Sequence, residues 1–363
     1  MKHIKKATLI LCVLIAVFLQ VKEVRAALTA PTLTQAYRKS DTITVKWEKI
    51  PGVTGYQVRY SFDEDMADPV KIKVKGRKNN KTAIENVDTT KNYFIQVRAY
   101  KVTDGKTTVS RWSNKVCVLG WDETAEYAKN SKIHEDGACI YYASGKNATG
   151  VTVCVNAGHG TAGGNKVKTL CHPDGSPKVT GGSTAKGAKE AAAVSSGTTF
   201  LDGTTEAAVT LELAKAVKEK LLAEGYNVLM IRSTSDIQLD NVARTVLANN
   251  YADYHIALHY DSSENDKGAF YISVPDNKTY RNMNPVSKNY KKHHKLGDAL
   301  LSGFREAKVK IWSSGKMALD LTQTSYSTIP SVDVEVGDRA SAHDEKTLEK
   351  IAEGTACGIK KLK

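Results

Sequence analysis

The feature that most constrains this chain is a change of hydrophobic period near residue 150. From there to the end, short apolar runs alternate with longer segments whose apolar residues return at helical spacing. Runs at 151–155, 226–231, 254–259 and 331–336 read as strands. Segments 206–224, 239–250, 290–305 and 344–361 read as helices, the first with Val209, Leu211, Leu213, Ala216, Val217 and Leu221 on its apolar face. Such alternation predicts an α/β fold with a largely parallel sheet. Residues 160–205 interrupt it. They are rich in Gly, Ala, Ser, Thr and Lys and read as a long flexible loop.

Before residue 150 the pattern differs. Residues 41–47, 55–60 and 93–100 alternate apolar and polar side chains, and Pro51-Gly52 and Asp104-Gly105 mark turns between strands. Residues 29–118 are therefore expected to form an all-β sandwich. Residues 119–150 read as a mixed, polar connector, with a short strand at 138–143. A length of 363 residues also favours more than one domain.

Residues 1–26 carry Lys2, Lys5 and Lys6, then an apolar run at 7–19, then Val24-Arg25-Ala26. This is the pattern of a cleaved secretion signal, and the run is too short to span a bilayer. Bulky Leu9-Ile10-Leu11 before Cys12 argues against lipid attachment there. No second apolar stretch follows, so no transmembrane segment is expected in the mature chain. Removing the leader's five Lys/Arg and one Glu lowers the formal charge from +13 to about +9. That excess suits anionic surfaces such as wall teichoic acids or phospholipid head groups, although solvated surface charge is the simplest account. No nucleic-acid module is evident, and none is expected as a partner. Cys117, Cys139, Cys154, Cys171 and Cys357 are odd in number and irregularly spaced, so they give no disulfide framework.

The chemistry gathers at strand ends. His159 follows the strand 151–155 within Asn156-Ala-Gly-His-Gly160; His259 ends the strand 254–259; Glu335 ends the strand 331–336; Glu206 opens the helix 206–224. Ligands of open α/β sheets bind beyond the carboxyl ends of the strands, where these side chains are expected to meet. Two histidines and a carboxylate make a common catalytic zinc set that leaves a position for water, and a further glutamate can move the proton. Glu335 lies in Val-Asp-Val-Glu-Val, where a buried carboxylate needs a partner or a task, and Asp333 shares its face.

These motifs carry two resemblances. Asn156-Ala-Gly-His-Gly160, Glu206, Ile231-Arg-Ser-Thr-Ser-Asp236, Leu239 with Arg244 and Asn249, Ala252-Asp-Tyr-His-Ile-Ala-Leu-His259 and Pro330-Ser-Val-Asp-Val-Glu-Val-Gly337 together resemble the zinc-dependent N-acetylmuramoyl-L-alanine amidases over 151–361. The resemblance implies a secreted, wall-associated peptidoglycan hydrolase that uses Zn2+. It implies His159, Glu206 and His259 as metal ligands and Glu335 as catalytic acid/base. Glu190 is the alternative to Glu206. Arg244 would be structural, through an ion pair with Asp236. Cys171-His172 is expected to belong to a mobile loop. Trp47, Tyr56, Tyr93 and Arg111-Trp-Ser-Asn114 make residues 29–118 similar to fibronectin type III domains. The expected architecture is thus a leader (1–26), a fibronectin type III-like sandwich (29–118), a linker (119–150) and an α/β amidase domain (151–363). A zinc endopeptidase or carboxypeptidase, or a non-catalytic wall-binding protein, are the alternative functions.

Overall fold

The computed structural model describes residues 27–362; the expected leader at 1–26 lies outside the described residues. The first part of the chain forms β1 (Leu33–Lys39), β2 (Thr42–Trp47), β3 (Gly55–Ser61), β4 (Val70–Lys75), β5 (Lys81–Ile84), β6 (Tyr93–Thr103), β7 (Lys106–Val109) and β8 (Val116–Val118). β1, β2 and β5 make a three-stranded antiparallel sheet. Alternation decides which side chains turn inward: Ile43, Val45 and Trp47 of β2 are buried while the residues between them are not. Trp47 packs on Tyr56 of β3 with ring centroids 5.3 Å apart, which brings this sheet against the strands that follow.

The second part comprises β9 (Cys139–Tyr141), β10 (Thr152–Ala157), β11 (Lys168–Leu170), β12 (Glu190–Ala192), α1 (Glu206–Ala223), β13 (Asn227–Met230), α2 (Asn241–Tyr251), β14 (Tyr254–Asp261), β15 (Ala269–Ser273), α3 (Lys278–Asn282), α4 (Val286–Glu306), β16 (Ile311–Ala318), α5 (Thr322–Tyr326), β17 (Ser331–Asp338) and α6 (Glu345–Lys360). The largest sheet among the described residues has 12 strands, in the order β16-β15-β17-β14-β10-β13-β9-β8-β6-β3-β4, with β7 beside β6. Its centre is parallel, through the pairs β10–β13, β10–β14 and β14–β17. The expectation of a largely parallel sheet needs correction to a mixed one: β15 runs antiparallel to β17, and β9 antiparallel to β13. β15 and β16 extend the sheet beyond the strands read from the sequence.

The sheet does not stop where the β-rich part ends. β9, from the stretch expected as a linker, pairs with β8 on one side and β13 on the other, so one ladder runs through both halves. One hydrophobic cluster likewise contains Trp47, Val58 and Val97 together with Val153, Leu213 and Val332. Polar contacts reinforce the seam. Arg38 of β1 is buried and donates to the carbonyls of Glu135 (2.8 Å) and Asp136 (3.1 Å). The Asp136 carboxylate accepts from the Gln238 amide at 2.7 Å. Ser233 donates to the Ala36 carbonyl at 2.9 Å, and Tyr141 accepts from the Ala36 amide at 3.0 Å. Asp240 caps α2 through Ala243 and also accepts from the Lys132 and Ile133 amides at 2.6 and 2.9 Å, which ties 119–150 to the helix.

Removing a buried guanidinium leaves its acceptor carbonyls without partners. Arg38→Ala is therefore expected to lower stability by about 3 kcal/mol in urea denaturation. Because ladder and core are shared, fluorescence and far-ultraviolet dichroism should report one coincident transition; two separated transitions would show that the halves unfold independently.

Candidate metal centre

β10 ends at Ala157 and β14 at Asp261, on neighbouring parallel strands. Past the end of β10, His159 takes a left-handed backbone (φ 62°), which turns its ring back over the sheet edge. The glycine before it serves a spatial need: a Cβ at Gly158 would lie 2.4 Å from the His259 ring. Glu206, the first residue of α1, projects to the same place. His159 Nε2 lies 2.8 Å from Glu206 Oε1; His259 Nδ1 lies 3.0 Å from His159 Nε2 and 3.1 Å from Glu206 Oε1. Glu190, the alternative carboxylate, is exposed on the β11–β12 hairpin and outside this cluster.

The surroundings orient all three. His159 Nδ1 lies 2.9 Å from the Ser195 carbonyl, which can only accept, so Nδ1 carries the proton and the Nε2 lone pair points at the cluster. Glu206 Oε1 accepts from the Tyr260 amide at 3.0 Å, and Oε2 accepts from the Thr198 amide at 2.8 Å. The far nitrogen of His259 faces Asp333 at 3.7 Å. Side-chain exposures of 8% for His159, 3% for Glu206 and 20% for His259 make His259 the most accessible of the three. Burial penalises the Glu206 charge, but bonds to His159 and His259 outweigh it and hold this carboxyl far below the usual range. Burial opposes the His259 charge, but Asp333, Glu206 and Glu335 raise its pKa to about 10.

Two nitrogens and an oxygen converging in this way suit a divalent transition metal. Tetrahedral ligands at about 2.05 Å from a common ion lie roughly 3.3 Å apart, close to the observed separations. Glu335 sits across from His259 in the β14–β17 register. Its Oε2 and Asp333 Oδ1 are buried without partners among the described residues. Burial and the neighbouring Asp333 raise the Glu335 carboxyl well above the ordinary glutamate range.

Two arginines hold the turn that carries His159. Arg232 donates to the Ala157 and Gly158 carbonyls at 3.1 and 2.8 Å, and its Nη2 also reaches the Ala207 carbonyl in the first turn of α1. Arg244 donates to Asn156 Oδ1 (3.1 Å), the Ala157 carbonyl (3.2 Å) and the His159 carbonyl (2.7 Å). This corrects the expected ion pair with Asp236, which instead meets Lys39 of β1 at 3.2 Å. Both guanidiniums are buried among neutral acceptors, and desolvation lowers them to about 10 and about 9 respectively.

Segment 160–205 is not the flexible loop expected. It contains the β11–β12 hairpin and buries Cys171, His172, Ala193, Val194 and Phe200. Its anchor is Asp320, a residue the sequence reading passed over although Ala318-Leu-Asp-Leu321 sets a carboxylate in an apolar run. Asp320 is fully buried and meets His172 Nε2 at 3.2 Å, Lys178 Nζ at 2.9 Å and the Val179 amide at 2.6 Å. His172 is therefore a buried partner of Asp320 and no mobile loop residue. At the far end of the segment, a Cβ at Gly197 (φ 81°) would come within 2.7 Å of the His159 ring. Segment 160–205 thus forms one wall of a groove of about 720 Å³, lined also by the metal-ligand candidates, Asp333, Glu335, Met317 and Leu319.

A family model described as N-acetylmuramoyl-L-alanine amidase matches residues 153–361. Among solved structures, the chain is similar to an N-acetylmuramyl-L-alanine amidase from Mycobacterium smegmatis at 17% identity, covering 60% of this chain and 98% of that one, with a TM-score of 0.49. It is similar to an N-acetylmuramoyl-L-alanine amidase of Nostoc punctiforme at 17% identity, 59% and 98% coverage and a TM-score of 0.41. A third is the catalytic domain of an amidase from Bacillus (Paenibacillus) polymyxa, at 20% identity, 58% and 97% coverage and a TM-score of 0.41. No curated protein matches the chain.

Arg244→Lys removes the fork that spans Asn156, Ala157 and His159. It should weaken divalent-metal binding by about 10–100-fold in a chelator competition, without unfolding the chain. Asp320→Asn should cost about 3 kcal/mol at pH 7 by stranding Lys178. Burial opposes the Asp320 charge, but bonds to His172, Thr180 and Lys178 outweigh it and depress the folded carboxyl below its ordinary value of 3.8, so the wild-type advantage is full above that value. As pH falls through the depressed folded value the advantage disappears, and urea midpoints of wild type and variant should converge.

Proposed function

The chain belongs to the N-acetylmuramoyl-L-alanine amidase family, and on that premise we propose that it is a secreted zinc amidase that hydrolyses the bond between N-acetylmuramic acid and L-alanine in peptidoglycan. The convergence of His159 Nε2, Glu206 Oε1 and His259 Nδ1 is the observation that carries this reading. These atoms would hold Zn2+, which when bound supplies a Lewis acid and a water of lowered pKa.

The remaining chemistry belongs to the chain. Ser195 and Asp333 orient the two imidazoles from their outer nitrogens. The amides of Tyr260 and Thr198 fix the orientation of the Glu206 carboxylate. Glu335 is the proposed acid/base. Its part-buried carboxyl, with a shielded Oε2 unpartnered among the described residues, can take a proton from the attacking water and hand it to the leaving L-alanine nitrogen. The raised affinity for protons near Asp333 suits the donating half of that cycle. The wall built by 160–205 narrows the groove, which fits an extended peptide attached to a glycan.

Residues 1–26 are proposed as the secretion signal, and 29–118 as a fibronectin type III-like unit. Among the described residues no helix is long and apolar enough to cross a membrane.

Glu335→Gln should retain metal while losing about 10²–10⁴-fold in the rate at which peptidoglycan releases new L-alanine amino termini. Chelation should abolish wild-type release and added Zn2+ restore it. Release of other termini, or full activity in the variant, would overturn the bond assignment or the role of Glu335 respectively.

A further inference from the structure

Far from the groove, the outer face of β3, β4 and β6 is a field of cations. On β4, Lys71, Lys73 and Lys75 are exposed. They stand opposite Arg59, Gln57 and Gly55 of β3, which in turn stand opposite Gln96, Arg98 and Tyr100 of β6. Directly paired residues share a face, so Lys71, Arg59, Lys73, Arg98 and Lys75 project together. None of these three strands contains Asp or Glu.

The two arginines are held in place. Their guanidinium carbons lie 4.2 and 4.4 Å from the Trp112 ring centroid. Arg59 Nε donates to Gln96 Oε1 at 3.1 Å, and Gln96 is itself fixed by donating to the Ser113 carbonyl at 2.9 Å. Arg98 Nε donates to Gln57 Oε1 at 2.8 Å, which leaves its terminal nitrogens without an acceptor among the described residues. Burial and the neighbouring Arg98 charge lower the Arg59 pKa, as expected for like charges with no carboxylate between them. Lysines on β4 also blunt an exposed sheet edge, but edge protection asks nothing of arginines on interior strands.

We propose that this face binds the repeating phosphodiester polymer attached to the bacterial wall. The terminal nitrogens of Arg98 can meet phosphate oxygens in pairs, while Arg59, whose Nε and Nη2 both donate to Gln96 Oε1, adds a fixed charge beside them; stacking on Trp112 removes much of the cost of ordering both. Alternate lysines along a strand recur about every 6.7 Å, a row suited to a linear polyanion. A lipid surface would call for apolar side chains among the cations, whereas the exposed apolar residues on this face, Val102 and Val109, lie at one end of it, beyond Arg98. The choice of a wall polymer rests on the peptidoglycan-amidase reading; the anion-binding face itself does not.

The test is co-sedimentation of the chain from residue 27 onward with sacculi, in chelator so that no turnover occurs. Sacculi retaining their phosphodiester polymers are compared with sacculi stripped by hydrofluoric acid, and with anionic phospholipid vesicles. Amidase activity on a soluble muropeptide is measured separately with Zn2+. Wild type should bind intact sacculi at least about tenfold better than stripped ones, with affinity falling as salt rises. Arg59→Gln/Arg98→Gln and Lys71→Gln/Lys73→Gln should each remove most of that difference, lower the salt slope, and leave soluble-substrate turnover unchanged. The lysine pair is exposed, so its result is free of folding effects. Equal binding to both sacculi, wild-type binding by the variants, or a preference for vesicles overturns the proposal. Polymer-dependent binding without turnover of the muropeptide would instead sink the amidase reading and leave the face standing.

Discussion

The structure depends on how two buried positive charges are accommodated around one turn. Arg232 and Arg244 are held by carbonyls, an amide oxygen and hydroxyls, with no carboxylate among the described residues within bonding distance of either. A guanidinium removed from water is costly, and the cost is offset only while every acceptor stays in place. Moving the 156–161 turn would strand both cations at once. That gives a left-handed histidine and a tight glycine contact a firm base, and Arg232 extends the constraint to the start of α1, where Glu206 sits. Three ligand candidates from three distant stretches of chain therefore meet within about 3 Å of one another, as a tetrahedral cation requires.

Much of this was legible in the sequence, because strand ends are legible. An apolar run that stops at Gly-His-Gly, a second that stops at His, and a helix that opens on Glu already imply a common sheet edge. The run Val-Asp-Val-Glu-Val flagged a buried carboxylate; Glu335 and Asp333 are part-buried, each with one carboxylate oxygen shielded from solvent. What escaped was set by partners far along the chain. Asp236 looked available to Arg244 until Lys39 of β1 claimed it, and nothing near Asp236 announces that strand. Segment 160–205 has a loop's composition, yet its order comes from Asp320, well over a hundred residues away. β16 was missed because its residues are mostly part-exposed and its register with β15 is irregular, so no clean alternation survives.

The connector shows the same limit from another side. Residues 138–143 could be read as a strand, but a three-residue strand says nothing of what lies on either flank. Backbone pairing makes β9 the splice between an antiparallel β layer and a mixed α/β sheet. Because Tyr141, Arg38 and Asp136 then bury polar groups across the join, the seam acquires the chemistry of an interior.

The unbroken sheet has a consequence for how such a molecule works on a surface. A module on a floppy tether lets its enzyme sample many distances and angles. Here β14, which carries His259, is six strand positions from β3, which carries Arg59, or on the order of 30 Å measured across the ladder. Grip and cut are then set apart by a ruler with no joint, and sheet twist fixes their relative facing as well. Such a molecule meets a wall strand at one standoff and one angle, and must let go and land again to reach the next bond.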